Sequence, residues 1–432
     1  MARLLYTALC YTLAPIFLLR LWWRGRRLPG YRRNGWQRLG LGAAIAGPVI
    51  WIHAVSVGET VAIAPLVERL LARYPRHRLL LTSMTPTGAA RVRALFGDRV
   101  EQRFCPWDLP LAVRAFLRRA RPELCIIVET ELWPNLVDQC ARAGVPVVLA
   151  NARLSARSAR GYQRLAPLSR PMLQQLSLIA AQGRADARRF VALGAPPERV
   201  AVIGSIKFDL QPDAAQVAAG RALRQRLGSD RPVVIAASTH RGEDEILLNA
   251  WRQLRASHPQ LVLILVPRHP ERFEAVARLC RSCSERLVRR SAGGQPDTQT
   301  ELYLGDSMGE LMMLYAAADI AFVGGSFSGT GGHNPLEPAA LGVPVVMGPD
   351  CFNFQPITDA LSAAGGLVRV GDAAELRAQL ARWLDDREQR RAAGRRAAAF
   401  VAANRGALDR LERLVSVLLA RRRGGGGADR AE

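Results

Sequence analysis

The sequence predicts an α/β protein with two Rossmann-like domains that face each other across a cleft, preceded by an apolar N-terminal helix. The chain has 432 residues, which is too long for one ordinary core and suggests two domains. Short apolar runs alternate with Arg-rich and Ala-rich helical segments in both halves, which is the βαβ order of a parallel sheet. The first residues are strongly apolar and end in a basic flank.

The apolar runs define the predicted strands and the domain boundaries. The predicted strands are 49–55, 78–81, 124–128, 145–150, 178–181, 233–237, 261–266, 319–323, 343–347 and 366–370. The predicted divisions are a membrane anchor (1–28), an N-terminal Rossmann-like domain (29–210), a linker (211–230), a C-terminal Rossmann-like domain (231–420) and a disordered tail (421–432). Two such domains occur in many glycosyltransferases, but also in epimerases and periplasmic binding proteins, so the architecture alone does not decide the function.

Charge and cysteine content limit the possible partners and the compartment. A net charge of +23 indicates an anionic partner, which is a nucleic acid, a membrane surface or a phosphorylated substrate. A high-GC genome that enriches Arg and Ala explains part of this charge. Of the 7 Cys, only Cys280 and Cys283 have CxxC spacing, and without a second pair they do not predict a zinc site. The cysteine pattern fits a reducing compartment.

The N-terminal stretch predicts attachment to the cytoplasmic side of a membrane. Residues 4–19 are apolar apart from Thr7 and Thr12, and Trp22 and Trp23 follow them. Arg residues then accumulate, which favours retention of this flank in the cytoplasm. The sequence leaves open whether this single anchor spans the bilayer or lies in its interface. A buried core helix is the remaining alternative.

The segment 51–70 predicts a strand, a Gly turn and a helix that begins near Thr60. This unit directs functional groups towards the carboxyl edge of a parallel sheet. Glu59 lies in the turn and is the first acidic residue of the chain. It is a candidate catalytic carboxylate, although acidic residues also favour helix starts because of the helix dipole.

The second half contains candidate phosphate-binding groups. A Gly-rich loop at 324–332 follows a predicted strand, and its backbone N–H groups are suited to approach an anion. Asn334 is expected to cap the next helix and Pro335 to begin it, so that the helix start binds a phosphate, with Glu337 placed to bind ribose hydroxyls. Arg268 ends another strand and is a natural phosphate ligand, or alternatively a solvated residue before a Pro turn.

Motifs distributed over nearly the whole chain resemble the bacterial 3-deoxy-D-manno-octulosonic acid (Kdo) transferase family. They occur in the family's order as HAVSVGE, ETELWPN, NARLS, GSIKFD, VPRHPERF, GDSMGEL and GGSFSGTGGHNPLEPAALGVPVV. Singly most of them are weak, but together they are very specific. The resemblance implies a GT-B glycosyltransferase at the inner membrane that moves Kdo from CMP-Kdo to the lipid A precursor, lipid IVA, by an inverting reaction. It also implies that the N-terminal domain (29–210) is acceptor-binding and that the C-terminal domain (231–420) is nucleotide-sugar-binding.

The same resemblance implies the roles of individual residues. Glu59 would be the general base, and one carboxylate of the ETE segment, Glu129 in preference to Glu131, would assist the transition state with Lys207. The CMP-binding residues would be Pro267, Arg268, Met308, Gly309, Glu310, Asn334, Pro335, Leu336 and Glu337. The sequence has no DxD-type cluster suited to hold Mg²⁺ against a diphosphate, so we expect neither a metal nor another cofactor.

Two alternatives belong to other functional classes. One is a membrane-associated GT-B transferase that uses a UDP-sugar and therefore needs a diphosphate site. The other is a polybasic protein without enzymatic activity that binds a membrane or a nucleic acid. Nucleic-acid binding would favour basic residues interleaved with aromatic ones, and aromatic residues make up only 6% of the chain. We therefore expect CMP-Kdo, the lipid acceptor and the anionic membrane surface as partners, and no nucleic acid.

Overall fold

The computed structural model describes residues 1–425 and divides the chain into two compact units. Unit 1 comprises Met1–Asp209 together with the chain from Arg405 onward, and unit 2 comprises Leu210–Asn404. Each unit contains a seven-stranded sheet with helices along it. The predicted pair of Rossmann-like domains and the N-terminal helix are confirmed.

The helices and strands are numbered along the chain. The helices are α1 (Ala2–Arg27), α2 (Val57–Arg73), α3 (Pro86–Phe96), α4 (Pro110–Ala120), α5 (Pro134–Arg142), α6 (Ala156–Arg164), α7 (Ala166–Gln174), α8 (Arg184–Ala192), α9 (Ala214–Leu227), α10 (Glu243–Leu254), α11 (Phe273–Arg281), α12 (Leu311–Ala316), α13 (Leu336–Ala340), α14 (Gln355–Ala363), α15 (Ala373–Asp385), α16 (Arg387–Ala403) and α17 (Ala407–Gly425). The strands are β1 (Val49–His53), β2 (Arg78–Ser83), β3 (Glu101–Phe104), β4 (Pro122–Val128), β5 (Val147–Ala152), β6 (Leu178–Ala181), β7 (Val200–Val202), β8 (Val233–Thr239), β9 (Val262–Pro267), β10 (Leu287–Arg289), β11 (Leu302–Leu304), β12 (Ile320–Val323), β13 (Val345–Met347) and β14 (Leu367–Arg369).

Both sheets are parallel throughout and both reverse their strand order near the middle. The order is β3-β2-β1-β4-β5-β6-β7 in unit 1 and β10-β11-β9-β8-β12-β13-β14 in unit 2. The order reverses between β1 and β4 in unit 1 and between β8 and β12 in unit 2. In parallel sheets, ligands bind outside the carboxyl ends of the strands at such switch points. The residues that follow these strands are therefore the first place to look for a site.

Side chains of the central strands alternate between two apolar cores, one on each face of the sheet. In β1, Val49 and Trp51 belong to one core of unit 1, and Ile50 and Ile52 belong to the other. Both faces are covered by helices, which explains why the strands appear in the sequence as continuous apolar runs without polar alternation.

The predicted linker is part of unit 2. Most of residues 211–230 form α9, whose Leu223 and Leu227 are buried in a core of that unit. The Asp213 side chain accepts a hydrogen bond from Ala215 N (2.9 Å) and caps the helix start. The Ala, Gln and Arg content that suggested a connection is thus the exposed surface of an amphipathic helix.

The predicted C-terminal domain ends earlier than residue 420. Helix α17 packs on unit 1, where Leu408, Leu411, Val415 and Leu419 join a core of β1 and β4 residues because their helical spacing places them on one face. Asp209 caps its start by accepting hydrogen bonds from the backbone N–H groups of residues 406 and 408 (2.5 and 2.6 Å). Of the predicted disordered tail, residues 421–425 are helical and residues 426–432 lie outside the described residues.

Candidate active site

Two carboxylates follow the adjacent strands at the switch point of unit 1. Glu59 comes after β1, and Glu129 comes directly after β4. The negative charges of Glu129 and Glu131 both act on Glu59, so the predicted carboxylates of the two segments are neighbours.

The helix that carries Glu59 begins three residues before the predicted start near Thr60. Ser56 is the N-cap of α2 and Val57 is its first residue, so Glu59 lies in the first helical turn and not in the turn before it. The Ser56 Oγ accepts a hydrogen bond from Glu59 N (3.2 Å) and donates one to Glu59 Oε1 (2.7 Å). Val55 N donates to Glu59 Oε2 (2.8 Å). The sequence prediction missed this start because it assigned Gly58 to a turn, whereas Ser56 caps the helix and Gly58 is its second residue.

The surroundings of Glu59 favour proton uptake. Burial raises the pKa of Glu59, the hydrogen bonds from Ser56 and Val55 lower it, and the charges of Glu131 and Glu129 raise it further. The net shift is upward. A carboxylate with a raised pKa is a stronger base than an ordinary one and is suited to accept a proton near neutral pH.

Glu129 has a backbone conformation that is rare for its residue type. Its φ is +62°, and its backbone N–H donates to Ala150 O (2.9 Å). Its carboxylate pairs with Lys207, with Nζ 3.1 Å from Oε1. Residues held in such conformations cost about 1–3 kcal/mol and cluster at functional sites. The structure therefore brings the predicted Glu129 and Lys207 together.

The two carboxylates of the ETE segment have different partners. The Trp133 indole donates to Glu131 Oε2 at 3.3 Å, whereas Glu129 contacts Lys207. The pairing of Glu129 with a cation supports the preference for Glu129 over Glu131 as the assisting residue.

Asn151 supports this ion pair and was not singled out from the sequence. It is fully buried with a φ of +54°, and its Oδ1 accepts a hydrogen bond from Ile206 N (3.2 Å), the residue before Lys207. Asn tolerates this conformation better than other non-Gly residues. The NARLS motif contained the signal, because Asn directly follows an apolar strand there.

In unit 2, the Gly-rich loop binds an anion that belongs to the protein itself. The buried Glu243 carboxylate accepts hydrogen bonds from the backbone N–H groups of Gly325, Ser326 and Phe327 (2.8, 2.9 and 2.9 Å), and from His240 N (2.8 Å). The prediction that these amides are available to a substrate phosphate is therefore wrong for this part of the loop. Glu243 instead fixes the loop to the segment after β8.

The predicted capped helix after the loop is a single short turn. Helix α13 begins at Leu336, one residue later than expected, and has 5 residues. Asn334 Oδ1 accepts from Leu336 N (3.1 Å), and Asn334 Nδ2 donates to Glu337 Oε1 (3.2 Å). Burial raises the pKa of Glu337, while Asn334 and the charge of Arg268 lower it. Pro335 is the N-cap and not the first helical residue, and Asn334, the expected cap, lies one position before it. The hydrogen bonds of Asn334 nevertheless connect the segment from Asn334 to Glu337.

Arg268 lies at the predicted strand edge with its side chain exposed. It directly follows β9 and Pro267, and its backbone N–H donates to Thr239 O (3.0 Å). Within residues 1–425, its guanidinium makes no hydrogen bond or ion pair. Its charge acts on Glu337 and on His333. The group is thus available to an anionic ligand.

The predicted 308–310 segment is a turn before α12. Met308 is 60% exposed, and Gly309 has a φ of +87°, which favours glycine. Glu310 accepts two hydrogen bonds from Arg290 (3.0 and 2.6 Å) and one from Ser307, and these bonds lower its pKa. Its carboxylate is engaged within the protein, so a ligand at this turn would contact the backbone or Met308 more readily.

Comparison with family models supports the division into two domains. Residues 33–210 match the family model described as 3-Deoxy-D-manno-octulosonic-acid transferase (kdotransferase), and residues 233–400 match the model described as Glycosyl transferases group 1.

Similar proteins match over almost the whole chain. The chain is 43% identical to the 3-deoxy-D-manno-octulosonic acid transferase of Haemophilus influenzae, covering 98% of this chain and 100% of that protein. It is 39% identical to the enzyme of the same name from Bordetella pertussis, covering 95% and 99% of the two chains. Anabaena HepE in complex with UDP is a solved structure with a similar fold, with a TM-score of 0.54, 16% identity, and coverage of 86% of this chain and 100% of that one.

Proposed function

Because the chain belongs to the Kdo transferase family, we propose that it transfers Kdo from CMP-Kdo to a hydroxyl group of lipid IVA in lipopolysaccharide core synthesis. Its glycosyltransferase activity and the predicted GT-B class follow from the family. The donor, the acceptor and the residue roles are proposals. The observation that carries them is the buried Glu59 beside the Glu129–Lys207 pair, at the switch point of a unit that matches the kdotransferase model.

In the proposed reaction, Glu59 is the general base. The acceptor hydroxyl oxygen forms a bond to the anomeric carbon of Kdo, and the bond from that carbon to the phosphate oxygen breaks. The bonding electrons leave with CMP, and the hydroxyl proton passes to the Glu59 carboxylate. A positioned base contributes about 10² to 10⁴-fold to such a step. The Ser56 and Val55 contacts hold each carboxylate oxygen in a fixed direction, which supports this role.

Lys207 and Glu129 are proposed to stabilise negative charge on the donor. The Lys207 ammonium is suited to contact either the Kdo carboxylate or the phosphate that leaves. Glu129 holds the ammonium at 3.1 Å and so restricts its position before the donor binds. Asn151 acts on this arrangement indirectly, through the backbone of Ile206, and is a positioning residue.

Unit 2 is proposed to bind the CMP part of the donor through the segments 267–268, 308–310 and 334–337. The exposed Arg268 guanidinium provides charge-assisted hydrogen bonds to the phosphate. Glu337, whose carboxylate accepts a hydrogen bond from Asn334, would bind the ribose hydroxyls.

Helix α1 is proposed to hold the enzyme on the cytoplasmic face of the inner membrane. Among residues 1–425 it is the one helix that is long and apolar enough to cross a membrane. Its first turns contact the rest of unit 1. Arg3 pairs with Asp138, Tyr6 donates to Asp108 (2.9 Å), and Thr7 donates to Asn135 (2.8 Å).

Beyond these contacts, α1 exposes large apolar side chains along its length, which are Leu4, Leu5, Leu9, Tyr11, Ile16, Phe17, Leu18, Leu19, Trp22 and Trp23. This exposed apolar surface, on a helix whose first turns contact the rest of unit 1, suits attachment of the protein to a membrane. The Arg residues that follow it suit the anionic headgroups of that surface.

Deletion of residues 4–23 is expected to release the protein from membranes while leaving turnover on detergent-dispersed acceptor largely intact. Asp108 keeps its hydrogen bonds from Asn135 N and Leu136 N when Tyr6 is absent, so unit 1 should still fold. Membrane fractionation and turnover of the truncated protein provide the test. A folded truncation without any turnover would show that α1 takes part in catalysis.

A donor assay separates this proposal from its closest rival. A GT-B transferase of another specificity would use a UDP-sugar, and the same assay with CMP-Kdo and UDP-sugars in parallel distinguishes the two. We expect release of CMP from CMP-Kdo and no acceptor-dependent release of UDP. Acceptor-dependent turnover of a UDP-sugar alone would replace the proposed donor.

A further inference from the structure

Three histidines lie together at the carboxyl edge of the unit 2 sheet. His240 follows β8, His269 follows β9, and His333 follows β12 after the Gly-rich loop. The chain has only 6 His, so half of them meet at this switch point. In the sequence, each of the three histidines follows an apolar strand. Only the order of the strands in the sheet shows that the three lie close together.

The His240 and His333 rings contact each other directly. Their Nε2 atoms are 2.8 Å apart, and the rings are stacked with centroids 5.1 Å apart and an interplanar angle of 11°. The His269 ring meets His240 edge-on, with centroids 5.2 Å apart. In an Nε2–Nε2 contact one ring must donate a proton and the other must accept it. This pair can carry one additional proton on the donating ring without losing its hydrogen bond.

The charges around the pair keep it neutral when no ligand is bound. For His240, burial lowers the pKa, Glu243 raises it, and His269, Arg272 and Arg268 lower it. For His333, burial together with the charges of His240, Arg268 and His269 lowers the pKa to about 4. Cationic groups therefore surround the pair. An anion bound among them would raise the pKa of the two histidines and favour a protonated pair.

The position of the pair depends on Glu243. This carboxylate binds His240 N and also the N–H groups at the start of the loop that leads to His333. Because Glu243 occupies these amides, the loop has fewer backbone donors for a phosphate. The side chains at the same edge include His240, His333 and Arg268, which provide donors with suitable chemistry.

We propose that the His240–His333 pair, together with Arg268, binds the phosphate of the nucleoside monophosphate donor and takes up one proton from solvent when it does so. This inference rests on the proposed function and adds two binding residues to it. The donor phosphate is a diester with one negative charge, whereas released CMP is a monoester whose second ionisation has a pKa of about 6. The protonated pair neutralises the additional charge that CMP gains as it leaves.

Calorimetric titration of the full-length, detergent-solubilised protein with CMP tests this proposal. The titration is done near neutral pH in buffers with different ionisation enthalpies, so that the number of protons exchanged is measured directly. We expect an uptake of about one proton per CMP in the parent protein. In His333→Gln we expect uptake close to zero and an affinity about 10- to 100-fold lower, since Gln keeps a hydrogen bond but cannot carry the charge.

Two further variants make the result specific. Arg268→Ala should weaken CMP binding by a similar factor but retain the proton uptake, because the Arg charge does not change with pH in this range. His258→Gln is the control, since His258 lies in the same unit and faces Asp385 (3.2 Å) instead of this edge. It should leave both affinity and uptake unchanged. Unchanged uptake in His333→Gln would overturn the proposal.

A measurement on the parent protein alone guards against a variant that fails to fold. Above neutral pH, where CMP is already a dianion, uptake of one proton makes the CMP affinity fall by about tenfold per pH unit. An affinity that does not depend on pH would contradict the proposal.

The outcomes also separate this inference from the proposed function. If CMP binds without proton uptake, this inference fails and the proposed donor stands. If UMP binds with uptake and CMP does not bind, the donor assignment fails instead, and absence of binding by either nucleotide contradicts both.

Discussion

Replacement of Glu59 by Gln is expected to lower kcat by about 10²-fold or more while changing stability little. The amide cannot accept the proton of the acceptor hydroxyl. It can still accept from Val55 N and donate to the Ser56 hydroxyl oxygen, so the helix start should be retained. CMP affinity should persist, because the proposed nucleotide-binding residues belong to unit 2.

The pH profile distinguishes a chemical role of Glu59 from a structural one. A base works in its deprotonated form, so activity of the parent enzyme should fall as the pH drops through the raised pKa of Glu59. This acidic limb should be absent from the residual activity of Glu59→Gln. Ser56→Ala separates the two roles further, since it removes the cap at a cost of about 1 kcal/mol and also the hydrogen bond that lowers the pKa of Glu59, so the acidic limb should remain but move to higher pH. Parental turnover in Glu59→Gln would direct the search to Glu129 and Glu131.

Replacement of Glu243 by Ala is expected to lower the free energy of unfolding by about 3–5 kcal/mol and to abolish CMP binding. The variant leaves the N–H groups of His240, Gly325, Ser326 and Phe327 without their acceptor. The loop then loses its attachment to the segment after β8, and the contact between His240 and His333 is lost with it. Chemical denaturation and CMP titration measure the two effects.

Glu245→Ala provides the comparison on the same helix. The Glu245 carboxylate accepts one hydrogen bond from the exposed Gly242 N (3.1 Å), so its removal should cost no more than about 1 kcal/mol. CMP binding should be preserved in this variant. Equal stability losses in Glu243→Ala and Glu245→Ala would show that Glu243 is an ordinary helix-start residue.

The sequence predicted most strands of both sheets, including the edge strand β14, but missed the edge strands β3, β7 and β10 and the internal three-residue strand β11. Strands such as β4 and β9 are buried on both faces and therefore appear as apolar runs. The short edge strands β3, β7 and β10 contain exposed or half-buried residues and gave no such signal. Their pairing depends on neighbours that are distant in sequence, which local pattern cannot reveal.

The site was predictable where a residue type alone indicates its chemistry. The residues in question are ionisable and follow strands, and they are Glu59, Glu129 and Lys207 in unit 1 and Arg268 in unit 2. The parallel strands of each sheet end at the same edge of that sheet, which is where a site is expected. Glu243 was not predictable in this way. It lies 82 residues before the loop amide of Gly325 that it binds, and its position in the first turn of α10 suggests only a helix start.

The Gly-rich pattern identified the loop as functional but assigned its amides to the wrong anion. A Gly-rich segment after a strand is equally suited to a substrate phosphate and to a buried carboxylate, since both accept backbone hydrogen bonds. Only the fold shows that Glu243 occupies this position. The same carboxylate fixes His240 near the loop that carries His333, so the histidine pair remained undetected for the same reason.

Mass analysis of the lipid product tests the central proposal most directly. The full-length protein in detergent is incubated with CMP-Kdo and lipid IVA, with Glu59→Gln as the inactive reference. The account predicts a lipid product heavier than lipid IVA by one or more Kdo residues, with stoichiometric release of CMP and little product from the variant. An unmodified acceptor in the presence of folded, CMP-binding parent protein would contradict the proposed reaction.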